Sequence, residues 1–302
     1  MMDAFVSDPY PYTWRDDAKV VFLPSLVFEL WTEGVTPGKN MPGGFISSDI
    51  KLKTRDLRVE KMIEFGGKVG MPRLLELLQR ETCSSTVLAT GRAVEQSPEL
   101  IREFHARGHE IAGHSYTEDV SSYDFFGDPE AERDNIRRTA DAIESVTGER
   151  PIGWLSPRGT PSDNTLRLLV EEGYRWCGDF PDDELPYVEE IDGKAIAVIP
   201  YSGMAVNDYP VTINQGNTPR IYVEEFTETL DILREEYDLY GRPGWIRASV
   251  HAHVYGRSWG RWAFRDVIRY AKSFADVWIT TRGELGDHVL AQHAAGKKGG
   301  KK

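Results

Sequence analysis

Hydrophobic and polar positions along the chain switch repeatedly between the twofold period of a strand and the roughly 3.6-residue period of a helix. Val20 to Trp31 reads as the first strand, with Pro24 expected to break it and leave Leu26 to Trp31 as the paired part. Val69 to Arg80 sets Leu74, Leu75, Leu77 and Leu78 at helical spacing. Ser85 to Ala89 follows as a strand, and Ser97-Pro98-Glu99 opens a helix that Gly108 closes. Asp128 to Val146 is a charged amphipathic helix with a solvated outer face. Strands are then expected at Ile152 to Leu155, Tyr174 to Cys177, Ala195 to Tyr201, Ile246 to Val254 and Asp276 to Thr280. Helices between and after them are expected at Asn164 to Glu172, Phe226 to Tyr240, Phe264 to Phe274 and Gly283 to Ala291. This alternation predicts an α/β fold, a parallel sheet with helices outside, in one domain of about seven or eight β-α units. Residues 1–19 read as an irregular arm, 20–293 as the domain, and 294–302, ending Lys-Lys-Gly-Gly-Lys-Lys, as a disordered tail.

Composition narrows the class. Across 302 residues, 40% hydrophobic content is enough for a sizeable core, and a net charge of −12 argues against nucleic acid or an anionic membrane as partner. No apolar run approaches the roughly 20 residues of a membrane span. The N-terminus lacks the basic flank and apolar core of a signal peptide, so a cytoplasmic location is expected. Cys83 and Cys177 fit that compartment and read as packing residues.

Chemistry concentrates at strand ends. In Gly108 to Glu118, alternation puts Glu110, Ala112 and His114 on one strand face, with His114 last in its row. His251 and His253, two apart, share a face of their strand, and Glu29 shares one with Trp31. Arg158 joins from a loop, where it could hold Glu29 ionised and oriented. The carboxyl ends of strands are where α/β folds keep their chemistry, and in a barrel Glu29, His114, His251 and His253 would share one mouth. A carboxylate to activate water and imidazoles to polarise a carbonyl and protonate a leaving nitrogen suit hydrolysis of an amide-type C–N bond. Gly-x-Ser-x-Gly, phosphate-loop and dinucleotide patterns are absent from the sequence, leaving little support for nucleophilic serine, kinase or hydride-transfer chemistry.

Gly108-His-Glu-Ile-Ala-Gly-His114, with Trp154 to Arg158 and His251-Ala-His253, resembles the polysaccharide deacetylase superfamily (NodB homology, carbohydrate esterase family 4). More narrowly, Phe65-Gly66-Gly67, Thr90 to Glu95, Asp182 to Tyr187, Ile199-Pro-Tyr201, Asn207-Asp208 and Gly256-Arg257 are similar to the branch with the uric-acid-pathway allantoinase and cyclic imide hydrolases. The resemblance implies a distorted (β/α) barrel of about seven strands, TIM-barrel-related. It also implies a homo-oligomer, a dimer or tetramer.

Deacetylases of the superfamily carry an acidic pair on the first strand, one base and one metal ligand, and complete the metal site with His-x-x-x-His. Here Glu29 matches the base, Leu30 and Trp31 stand where the second acid belongs, and Glu118 replaces the second histidine. No cofactor is fixed by this pattern. A rebuilt site of Glu29, His114 and Glu118 could bind a divalent metal such as zinc.

Three readings follow. One is a hydrolase of a small cyclic amide, imide or ureide, with Glu29 as base and His114, His251 and His253 as polarising and acid groups. Trp31, Trp154 and Tyr201 are then the expected substrate-contacting residues, under the loop Thr32 to Lys53. Another is an N-acetyl-sugar deacetylase with a remodelled metal site. The last is a non-catalytic binding protein on a degenerate scaffold.

Overall fold

The computed structural model describes residues 10–33, 57–201 and 206–299. At its centre is β1, Val20–Phe28, buried along its whole length. Beyond it come β2 (Thr86–Ala89), β3 (Glu110–Gly113), β4 (Gly153–Trp154), β5 (Trp176–Cys177), β6 (Tyr187–Ile191), β7 (Lys194–Val198), β8 (Gly244–His251) and β9 (Val277–Ile279). They form one sheet in the order β6-β7-β5-β4-β3-β2-β1-β8, with β9 added to β1. All pairs are parallel except the β6–β7 hairpin. The sheet curls until the chain after β7 meets β8: Asn207 bridges Ser249, whose amide donates to the Val206 carbonyl at 2.9 Å. The expected single α/β barrel is therefore present, distorted, with eight strands along its path.

Pro24 does not break β1. Backbone groups of Val20 and Phe22 face β9, and that of Phe28 faces β2. Pro24 belongs to the same row, but lies between the last β9 partner, Phe22, and the first β2 partner, Ser25. Its missing N–H thus falls where one neighbouring strand gives way to the next, and no ladder bond is lost.

Alternation sorts β1 into two layers. Val20, Phe22, Leu26 and Phe28 face the outer core under the helices, while Val21, Leu23 and Val27 join Leu88, Ala112, Trp176 and Trp245 inside the barrel. The outer helices are α1 (Leu57–Phe65), α2 (Met71–Arg80), α3 (Gly91–Gln96), α4 (Pro98–Ala106), α5 (Pro129–Thr147), α6 (Thr165–Glu171), α7 (Pro219–Tyr240), α8 (Ser258–Lys272) and α9 (Arg282–Gly299). A wide π-type turn, Gly66–Gly70, precedes α2, so the helix expected from Val69 begins at Met71. Most of the expected Thr32 to Lys53 cover lies outside the described residues.

Among the described residues, segments near both ends of the chain are tied to the barrel. Tyr12, Trp14 and Ala18 of the arm pack into the inner cluster, and Trp14 Nε1 donates to the Gly244 carbonyl at 2.7 Å at the start of β8. The tail boundary at 293 is also corrected, because α9 continues to Gly299. His293 Nε2 lies 3.1 Å from Glu190 Oε1, and Lys297 pairs with the same carboxylate. Among the described residues, no helix is long and apolar enough to cross a membrane.

Candidate active site

Glu29 is the residue after β1, on its inner face, and His114 is the residue after β3; they are 5% and 4% exposed. A turn brings Glu118 to them, because its amide donates to the Leu30 carbonyl at 3.0 Å. One donor atom from each of Glu29, His114 and Glu118 lies within 4.8 Å of the others. His114 Nδ1 is 2.5 Å from the Leu155 carbonyl, so Nε2 faces the carboxylates, 3.2 Å from Glu118 Oε2.

That trio fits a divalent cation. A histidine whose Nδ1–H is fixed by a backbone carbonyl presents Nε2 as the ligand, and two carboxylates supply charge. Glu118 Oε2 is buried, its near polar contact the His114 Nε2 at 3.2 Å, so the ligand atoms of the trio face one another around a common point.

The other histidines come from the end of β8. His251 Nδ1 lies 2.6 Å from Asp208 Oδ1, while the His251 amide donates to Asp208 Oδ2 at 2.8 Å and the Tyr255 amide donates to it at 3.2 Å. His253 Nε2 is 3.9 Å from Glu29 Oε1 and has no hydrogen-bond partner among the described residues. Trp31 stands beside it, ring centroids 6.1 Å apart. Close glycine packing sets this corner: a Cβ on Gly256 would lie 2.1 Å from the Ala252 carbonyl oxygen and 2.5 Å from Gly70 Cα. The turn after His253 can approach the Gly66–Gly70 turn only without side chains at both places.

Charges are tuned by burial and neighbours. Burial first, then the Glu118 carboxylate beside it and Asp208, push Glu29 well above the ordinary carboxylate range, against a weaker pull from Arg158. Burial and the nearby charges of His251 and Arg257 push His253 well below 6.5, so it is neutral at pH 7. For His114, burial pulls down, but Glu118, the Leu155 carbonyl and Asp179 together carry it above the usual value. Asp179 is raised to about 6 by burial, opposed by hydrogen bonds from the Ser156 amide and hydroxyl, both 2.6 Å.

Glu29, His114, Glu118, His251, His253 and Trp31 thus lie at one mouth. Arg158 does not ion-pair with Glu29: it is exposed, in a left-handed conformation at φ 61°, and reaches Glu29 only through its field. Tyr201 is half-buried, its ring packed against Gly159 and 5.0 Å from the Arg247 guanidinium. Trp154 is not at the mouth, which corrects its expected substrate contact. Alternation on β4 turns it to the helix side, where it packs with Ile136, Leu168 and Tyr174 at 1% exposure. Asp208 and Asp179 were not among the expected site residues. A usable signal existed for each, since both are acids placed just past a strand end or a strand-like segment.

The Polysaccharide deacetylase family model matches residues 53–177, which include His114, Glu118 and Arg158. A Schizosaccharomyces pombe protein, provisionally named a polysaccharide deacetylase, is 27% identical over 79% of this chain and 78% of its own length. Two crystal structures are each 29% identical to this chain. A probable polysaccharide deacetylase from Pseudomonas aeruginosa PAO1 has TM-score 0.82 over 94% of this chain and 95% of its own. Puue allantoinase has TM-score 0.80 over 95% of each chain. Family model, relatives and architecture agree with the acid and imidazoles gathered at the barrel mouth: the chain is similar to the polysaccharide deacetylases over residues 53–177, and its chemistry is that of a hydrolase of non-peptide C–N bonds.

Proposed function

We propose that the substrate is a small cyclic amide, imide or ureide, hydrolysed at its ring C–N bond. The observation that carries this reading is Trp31. It is buried against His253 and, with Leu30, stands where the superfamily's deacetylases place their second acid; an indole there in place of a metal-binding carboxylate suits a small planar ring. The likeness to Puue allantoinase over 95% of both chains supports it. The reading takes the enzyme to be cytoplasmic and to meet a free small molecule.

Glu29 takes a proton from the attacking water. A base held above the ordinary carboxylate range is better matched to that task than an unperturbed one. Neutral His253, its Nε2 unpartnered beside Glu29, donates to the carbonyl oxygen as negative charge develops there. His251, with Nδ1 on Asp208, carries the proton to the leaving nitrogen, and Asp208 holds the ring and stabilises the imidazolium.

A second reading, an N-acetyl-sugar deacetylase, is favoured by the donor set of Glu29, His114 and Glu118. A divalent ion held there would polarise the carbonyl and acidify a bound water. Glu29→Gln tests the shared part: turnover should fall by about 10²–10⁴-fold, and a loss under about tenfold would count against Glu29 as base. Removing metal with a chelator then separates the readings, since the ring hydrolase keeps its activity and the deacetylase loses it.

A further inference from the structure

Below the mouth, the barrel interior holds two arginines and, among the described residues, one carboxylate, Glu110, which acts on Arg282 without pairing with it. Arg247 lies on the inner face of β8, in one row with Ser249 and His251, and its guanidinium is 5.0 Å from the Tyr201 ring centroid. Arg282 opens α9, its guanidinium 5.7 Å from the ring of Trp176, a member of the inner cluster. They are 3% and 1% exposed. Arg247 Nε and Nη2, Arg282 Nε and Ser249 Oγ are buried without a hydrogen-bond partner, and neither guanidinium is ion-paired among the described residues.

Glu110 offsets one of the two positive charges at most, and its oxygens are taken up by other donors. Glu110 accepts hydrogen bonds from Trp176 Nε1 at 2.7 Å, Thr86 Oγ1 at 2.8 Å and the Gly283 amide at 2.8 Å. Burial pushes Arg282 down to about 9, with the charge of Arg247 acting in the same direction and Glu110 against it, so both arginines stay cationic at pH 7. A buried guanidinium without a counter-charge is strongly destabilising, and an aromatic ring offsets only part of that. Two that repel each other need an anion more than one does.

We propose that the barrel interior between Arg247 and Arg282 binds a small monovalent anion, of chloride or formate size, with the Ser249 hydroxyl as a further donor. Burial this deep and aromatic rings on both guanidiniums exclude a bulky ligand. The two forks and the hydroxyl offer hydrogen bonds to a compact one. Such an anion ties β8, which carries His251 and His253, to the start of α9. It is independent of the ring hydrolysis proposed above.

Crystals of the full chain grown in sodium bromide test it directly. An anomalous peak within hydrogen-bond distance of both guanidiniums is expected, and bromide confined to the protein surface would overturn the proposal. In solution, chloride and formate should raise the thermal midpoint by about 3 °C and saturate, while gluconate at equal ionic strength should not. Arg247→Met should abolish that response. Equal effects of all three salts, or an unchanged response in a folded Arg247→Met protein, would overturn it. Should that variant fail to fold, the bromide crystal decides alone.

Discussion

Asp208 grips His251 twice, with Oδ1 2.6 Å from the ring Nδ1 and Oδ2 2.8 Å from the same residue's amide. The carboxylate is fully buried, so this pairing fixes both where the ring stands and which of its nitrogens faces the mouth. Asp208→Asn should therefore lower kcat by about 10²–10³-fold while moving KM little. Steady-state kinetics on the folded variant check this. An equal rise in KM with kcat unchanged would assign Asp208 to binding.

Glu29 and Glu118 predict a pH signature. Part of what raises Glu29 is the Glu118 charge beside it, so the acid limb of kcat/KM should lie above the ordinary carboxylate range, with activity rising as Glu29 loses its proton. In Glu118→Gln that charge is gone, and the limb should move to lower pH with turnover retained. A metal-dependent enzyme would instead lose turnover, because one ligand has been removed. A pH series on the two proteins separates the outcomes.

Trp31 and Trp154 should behave oppositely. Trp154 packs in the outer core, so Trp154→Ala should cost about 3–5 kcal/mol of stability, and Trp154→Phe should leave KM unchanged. Trp31→Ala should raise KM for the substrate. Denaturant unfolding and kinetics on the same preparations measure both.

His109 makes stability pH-dependent. Burial, aided by Arg107, lowers it to about 4, and its ring sits 5.3 Å from that of Phe104 with Nδ1 3.1 Å from Ser85 Oγ. An unfolded chain binds that proton near 6.5 and the folded one only near 4. The unfolded state thus holds more protons in this window, and stability falls as pH drops through it, by on the order of 2 kcal/mol. His109→Phe should flatten the dependence between those pH values, as read from thermal midpoints.

Strand alternation made Glu29, His114 and His251 legible from sequence, because a period of two leaves little choice of face once the strand is known; the strand expected to reach Val254 ends at His251, and His253 is brought to the mouth by the turn that follows. Pro24 misled because its cost depends on which neighbour its missing N–H would meet, and that neighbour changes from β9 to β2 at Pro24. Trp154 sits in a strand of only two residues, too short for a period to assign its face. The β6–β7 hairpin, absent from the expected elements, is signalled by Asp192-Gly193, at φ 50° and 77°, a two-residue turn of the type that joins antiparallel strands. Asp208 could not be paired with His251 in advance, since 43 residues and a helix separate them in sequence.

We propose that the mouth built from Glu29, Trp31, His251 and His253 opens a small ring. One panel tests it most directly: purified protein on allantoin, hydantoin, succinimide and an N-acetylglucosamine oligomer, with Glu29→Gln protein as the blank. Turnover of at least one cyclic compound, absent from the blank and insensitive to chelator, is the predicted result. Turnover of the acetylated sugar alone would contradict it and place the chemistry on a metal held by Glu29, His114 and Glu118.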